Sequence, residues 1–311
     1  MTDRTPIAVT VIGGYLGAGK TTLVNHLLRT GTGRRTTVLV NDFGSIAIDQ
    51  DLIVATDGST VTLANGCVCC GMAGTLMDTM LAIRDQPNPP DHLVIEASGV
   101  ADPGPISHHA LTPGFTLDGI VVVADAETVR RRAADRVVGR TVQRQLRAAE
   151  LLVLNKLDLV SAETAAALKA WARTMAPDAV LIDAVEAQVP VSLLLGAHAD
   201  TAHDHVDLRH DHDDEPHTEH DTWSWVFDAP VDRATLEAWV ASFHDGIVRA
   251  KGTVWLVDEP DRRYVLQVVG RRSRLTPDAA WGETERQTRL VAIGLPGTPA
   301  PCPPASASPT G

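Results

Sequence analysis

The sequence predicts an α/β protein: a mostly parallel sheet with helices on both sides, followed by a smaller α+β domain. Three observations carry this. Short runs of Val, Ile and Leu alternate with helix-like segments through the first two thirds of the chain, as strands buried on both faces require. A glycine-rich loop, residues 13–19, stands between the first apolar run and the first helical segment. Near residue 198 the composition breaks abruptly, and a new strand and helix pattern starts at Trp223.

The strand candidates are 7–12, 37–40, 93–96, 119–124, 151–154 and 180–183, with helical stretches at 20–29, 75–84, 142–150 and 162–175 between them. Such alternation favours crossover connections and therefore parallel pairing. From 198 to 222 apolar residues almost vanish and His and Asp dominate, which is the composition of a linker without a core. Beyond it, 223–227 reads as a strand, 232–243 as a helix, and 248–257 and 264–269 as strands; after a loop, 289–293 is a further strand. Residues 296–311 are mostly Pro, Ala, Ser and Gly and read as a disordered tail. The expected division is therefore 1–197, a linker 198–222, a second domain 223–295, and the tail.

Length and charge narrow the function. At 311 residues and 44% hydrophobic, the chain can hold one sizeable domain and a smaller one. Its net charge of −12 speaks against a nucleic-acid-binding surface, although much of it is local, since residues 200–221 hold nine acids against Arg209 alone. No signal-peptide layout opens the chain and no apolar run spans a bilayer, so the expected location is cytoplasmic, without a membrane partner. Three of the four cysteines are crowded together, which in a reducing compartment means metal ligands or redox groups. Cys302, alone in the Pro-rich tail, is expected to have no role.

Gly14-Tyr15-Leu16-Gly17-Ala18-Gly19-Lys20-Thr21 fits G-x-x-x-x-G-K-[ST] and lies between an apolar strand and a helix, the context that gives the pattern meaning. Gly14, Gly17, Ala18, Gly19 and Thr22 would wrap backbone amides around phosphates at the positive end of the helix. Lys20 would reach the β- and γ-phosphates, and the Thr21 hydroxyl would ligate Mg²⁺. Glu96 ends the apolar run 93–96 and is expected in the magnesium shell, with the Gly99 N–H sensing the γ-phosphate. A third element, Asn155-Lys156-Leu157-Asp158, ends another buried strand with N-K-x-D. A carboxylate only accepts, and guanine offers Asp158 two adjacent donors where adenine offers none, so the nucleotide expected is GTP. Lys156 would lie along the base, and Asn155 would brace the loop. This order of motifs reads as a P-loop GTPase domain.

Cys67, Cys69 and Cys70 fall within four residues, flanked by Gly66 and Gly71. Three soft thiolates suit Zn²⁺, Cu⁺ or Co²⁺, with the fourth ligand open. Redox thiols or buried packing are the other readings. At this point the chain resembles the CobW-type GTPases, also called zinc-regulated GTPase metalloprotein activators. The resemblance rests on GGYLGAGKTT (13–22), NDFGSIAID (41–49), GCVCC (66–70), IEASGVADP (95–103), NKLD (155–158), the His-rich linker and the C-terminal module. It implies a G domain related to the nickel GTPases of urease and hydrogenase maturation, and nucleotide-gated insertion of a metal into a client protein. Members usually carry Glu in the switch stretch where this chain has Asp42, one methylene shorter, and often a second acid at Ser45. Asp42 is the candidate for orienting the attacking water.

Seven of the twelve histidines, His198, His203, His205, His210, His212, His217 and His220, lie in or beside the linker among carboxylates. They suit loose capture of divalent ions that fades below about pH 6 as imidazoles protonate; a solvated spacer is the plain alternative. The reading as a whole is a GTPase that loads a transition metal, zinc first and cobalt next, and releases it to a client metalloprotein. Cobalt insertion for cobalamin synthesis or nitrile hydratase, and a zinc store with a vestigial nucleotide site, are the alternatives; N-K-x-D opposes a small-molecule kinase. A homo-oligomer is left open.

Overall fold

The computed structural model describes residues 5–41, 60–63, 73–196, 220–243, 246–282 and 284–304. The chain divides into two compact units, Met1–Leu195 and Gly196–Gly311.

The first unit carries strands β1 (Ile7–Gly13), β2 (Thr36–Asn41), β3 (Thr60–Leu63), β4 (His92–Glu96), β5 (Phe115–Asp125), β6 (Leu151–Asn155) and β7 (Val180–Asp183). They form one seven-stranded sheet in the order β3-β2-β4-β1-β5-β6-β7, and every pairing is parallel. The six predicted strands are all present, and β3 is an edge strand. β1, β4 and β6 are buried at every position. Alternate residues of a strand point to opposite faces, so both faces of the central sheet are covered.

Its helices are α1 (Lys20–Thr30), α2 (Ala73–Arg84), α3 (Pro103–Ser107), α4 (Val129–Ala133), α5 (Gly139–Ala148), α6 (Ala162–Met175) and α7 (Val191–Leu195). Leu76, Met80 and Ile83 of α2, Val142 and Leu146 of α5, and Leu168 and Ala172 of α6 share one cluster with Val9, Val11, Leu93, Ile95 and Leu152. Helix α1 buries Leu23, Val24 and Leu27, each contributing about 1.5–3 kcal/mol by leaving water. Ser161 starts α6 by accepting the Thr164 N–H at 3.2 Å, a capping bond of about 1 kcal/mol.

The second unit is an antiparallel five-stranded sheet. Its strands are β8 (Asp221–Phe227), β9 (Ile247–Trp255), β10 (Arg262–Val269), β11 (Arg272–Ala280) and β12 (Thr288–Gly294), in the order β11-β10-β9-β12-β8. Helix α8 (Arg233–Ala241), capped by Asp232, buries Trp239 edge-on against Trp225, Phe227 and Phe243. The loop expected after residue 269 is corrected: it is the edge strand β11. A two-residue turn headed by Gly270 (φ 55°) returns the chain. Pro277 and the arginines 272 and 274 hid the strand, yet an outer edge is where a sheet accepts proline. Residues 296–304, read as tail, are held here: the Gly297 N–H donates to Asp221 at 2.8 Å and Pro301 is buried.

Candidate functional site

Parallel pairing brings the C-terminal ends of β1, β4, β5 and β6 to one edge, where open α/β sheets bind ligands. In register, Ile12 pairs with Glu96, Gly13 with Val122 and Asp125 with Asn155. The residue after β1, Gly14, therefore sits between the ends of its neighbours. It has φ 134°, and a Cβ there would lie 2.2 Å from the Val123 carbonyl oxygen. Gly19 has φ 109°, and its Cβ would lie 2.4 Å from Asn155 Nδ2. The loop is thus glycine at these points for space as well as conformation.

Helix α1 opens directly on this loop with no acidic side chain in its first turn and no side-chain cap. Its first amides face the loop with only the helix dipole behind them, which suits an anion. Lys20 is buried, and the Thr21 hydroxyl donates to Glu96 Oε1 at 3.0 Å. Ala18 is buried, and its N–H closes a tight turn on the Tyr15 carbonyl at 3.1 Å. After β4, a Cβ on Gly99 would meet Leu16 at 2.5 Å, so this turn packs directly on the glycine loop.

Asn155, buried at the end of β6, donates from Nδ2 to the Ala18 carbonyl at 3.0 Å and accepts the Ala187 N–H on Oδ1 at 2.8 Å. Lys156 has φ 63° and reaches Asp125 Oδ2 with its Nζ at 2.8 Å. Burial alone would push the Asp125 carboxyl up; the Lys156 ammonium and the Glu127 and Thr128 amides outweigh that and hold it below the usual carboxylate range. Asp158 is exposed on the short turn Leu157–Leu159.

These pieces line one cleft of about 870 Å³. Gly17, Gly19, Lys20, Thr21, Thr22, Glu96, Gly99, Asn155, Lys156 and Asp158 all face it. Gly14 and Ala18, expected in the same set, are buried and are not among its lining residues. Sequence reasoning did not single out Asp125 or the loop after β7, whose Glu186 and Gln188 also line the cleft. Asp125 carried a readable signal, because it ends an apolar run just as Glu96 and Asn155 do. Glu186 and Ala187 are left-handed without being glycine (φ 51° and 56°), and no local pattern announces that. Asp42, Cys67, Cys69 and Cys70 lie outside the described residues, as do six of the seven linker histidines. His220 is described and half-buried, and burial pushes its imidazole pKa down.

Residues 8–183 match the family described as CobW/HypB/UreG, nucleotide-binding domain. This chain belongs to that family. Residues 220–299 also match the cobalamin synthesis protein cobW C-terminal domain, so both units of this CobW/HypB/UreG member have family counterparts. It is 33% identical to the zinc chaperone CobW of Sinorhizobium sp over 332 residues, 93% of each chain. It is 31% identical to the zinc chaperone YjiA of Escherichia coli K12 over 306 residues, 93% of this chain and 94% of that one. The zinc-regulated GTPase metalloprotein activator 1 of Schizosaccharomyces pombe is 34% identical over 169 residues, 51% of this chain and 41% of its own. Among the described residues no helix is long and apolar enough to cross a membrane.

Proposed function

We propose that this chain is a GTP-hydrolysing metallochaperone that holds zinc at Cys67, Cys69 and Cys70 and passes it to a client metalloprotein. The observation that supports it most directly is the single cleft joining the glycine loop, Glu96 with Gly99, and Asn155-Lys156-Asp158. The relatives named zinc chaperones, matched along nearly their whole length, support zinc as the cargo.

In this reading the triphosphate lies along the start of α1, where the loop amides and Lys20 neutralise its charge. Catalysis at a γ-phosphate is mostly positioning and charge stabilisation, and the burial of Lys20 at the start of α1 supports a part for it in both. Asp158 accepts the guanine N1–H and amino group, while Lys156, pinned by Asp125, lines the base. Gly99 reports the γ-phosphate through its backbone, and Asp42 orients water. The Thr21 hydroxyl and Glu96 carboxylate are hard oxygen donors side by side, a set that fits Mg²⁺. Bound there, Mg²⁺ would offset charge on the phosphate oxygens. The stretch 41–49 then couples nucleotide state to the thiolates that follow it in sequence.

The test is a Co²⁺ titration of the purified protein with and without Mg²⁺ and a non-hydrolysable GTP analogue, followed by thiolate-to-cobalt absorption. The bands are expected to depend on nucleotide and to weaken in Cys67→Ser, Cys69→Ser and Cys70→Ser. Bands that survive all three substitutions, or an affinity indifferent to nucleotide, would overturn the proposal.

A further inference from the structure

Seven arginines, at 130, 131, 132, 136, 140, 144 and 147, fall within one short stretch of a chain whose net charge is −12. The fold sorts them. Helix α4 buries Val129 and Ala133 and leaves Arg130 and Arg131 exposed. Helix α5 buries Val142, Gln145 and Leu146, while Arg140, Arg144 and Arg147 recur at i, i+4 and i+7 on its opposite, exposed side. Asp135 is the lone acid between Glu127 and Glu150, and its carboxylate is taken by the Val137 and Val138 amides at 2.7 and 3.0 Å. Among the described residues, none of the exposed arginines is ion-paired. Amid them Val137 is 87% exposed. Arginine is enriched at protein interfaces, and this face presents several of them with an exposed apolar residue in the same stretch.

The inner sides of the same helices hold the cleft. Gln145 donates to the Gly99 and Ala101 carbonyls at 3.1 and 2.8 Å. Arg132 donates to the Leu16 carbonyl, and its guanidinium lies over the Tyr15 ring, 5.0 Å from the centroid.

We propose that the arginine face of α4 and α5 is the docking surface for an acidic segment of the client protein. This rests on the carrier reading and names the chemistry by which the client is recognised. Guanidinium pairs with carboxylate in bidentate fashion. The basic stretch is confined to residues 130–147, which suits a short protein segment, and a chain of net charge −12 does not offer the extended basic surface that a duplex or an anionic membrane needs.

The probe is a fluorescent oligo-glutamate peptide, read by anisotropy on the full-length protein in roughly 50 mM salt. A single-stranded oligonucleotide of equal length and phosphatidylserine vesicles serve as competing surfaces. The wild type is expected to bind the peptide, and R140E/R144E/R147E to bind it at least about tenfold more weakly. GTP affinity should stay within about twofold, since these side chains lie away from the cleft. If charge reversal prevents folding, R140Q/R144Q/R147Q should give the same loss. No peptide binding, equal binding by the folded variants, or tighter binding of oligonucleotide or vesicle overturns the proposal. Cobalt loading is scored separately. If it fails while peptide binding keeps its arginine dependence, the metal-carrier reading falls and the acidic-protein docking face stands.

Discussion

Asn155 Nδ2 donates to the carbonyl oxygen of Ala18 at 3.0 Å across 137 positions of sequence. Its other amide atom takes the Ala187 N–H at 2.8 Å. One buried side chain therefore fastens the strand-end motif, the glycine loop and the loop after β7 to one another. In the proposed GTPase, the base-reading and phosphate-binding elements move as one body.

Asn155→Ala removes both bonds and strands a carbonyl and an N–H in a buried place. The expected destabilisation is about 2–4 kcal/mol, read from the urea midpoint at unchanged slope, with weakened GTP binding. Asn155→Asp should do no better, because it turns a carboxylate toward the Ala18 carbonyl. A midpoint unmoved by either change would show that the bonds do not hold the loops.

The loop glycines should not be equivalent. Gly17 has φ 75° and open space where its Cβ would go. Gly17→Ala is expected to cost only the left-handed backbone penalty, about 1–2 kcal/mol. Gly14→Ala would drive a Cβ to 2.2 Å from the Val123 carbonyl oxygen. Its cost should exceed about 3 kcal/mol, since backbone of β5 must shift. Thermal unfolding of the two variants checks the ranking, and equal losses would contradict it.

Much of this was legible because parallel strands deliver their ends to one edge. Gly14, Glu96 and Asn155 each follow or end an apolar run, so linear pattern sufficed to place them. Asp158 was legible through the chemistry of its motif. What pattern did not reveal are contacts made across the fold. The Asp125 partner of Lys156 lies on the neighbouring strand, and the left-handed Ala187, next to Glu186, is held through its N–H by Asn155. Strand β11 was missed for another reason: an edge strand alternates weakly and tolerates Pro277.

Asp125 gives a signed pH dependence. Its carboxyl is held below the usual range by Lys156 and two amides against the opposing pull of burial. A carboxylate with a depressed folded-state pKa contributes stability above its unfolded pKa, about 3.9, and loses it as pH falls through the lower folded value. Asp125→Asn should therefore lower stability by about 1 kcal/mol near neutrality, discounted because Lys156 is 33% exposed. The gap between wild type and variant should close below about pH 4. A gap that widens toward acid would reverse the assignment.

Asp158 lines the cleft from the exposed turn after β6, where its carboxylate can only accept. Guanine answers with two donors, N1–H and the exocyclic amino group. Asp158→Asn keeps one acceptor but turns an N–H₂ toward the amino group, donor against donor. The loss of GTP affinity should be about 100-fold or more, as unmet polar groups in a specific site demand. Xanthosine triphosphate carries a carbonyl where guanine has the amino group, so the same variant should bind it better than GTP. ATP should stay weak for both proteins. Calorimetric titration of the three nucleotides decides the matter: GTP binding left intact in Asp158→Asn would remove this residue from base recognition.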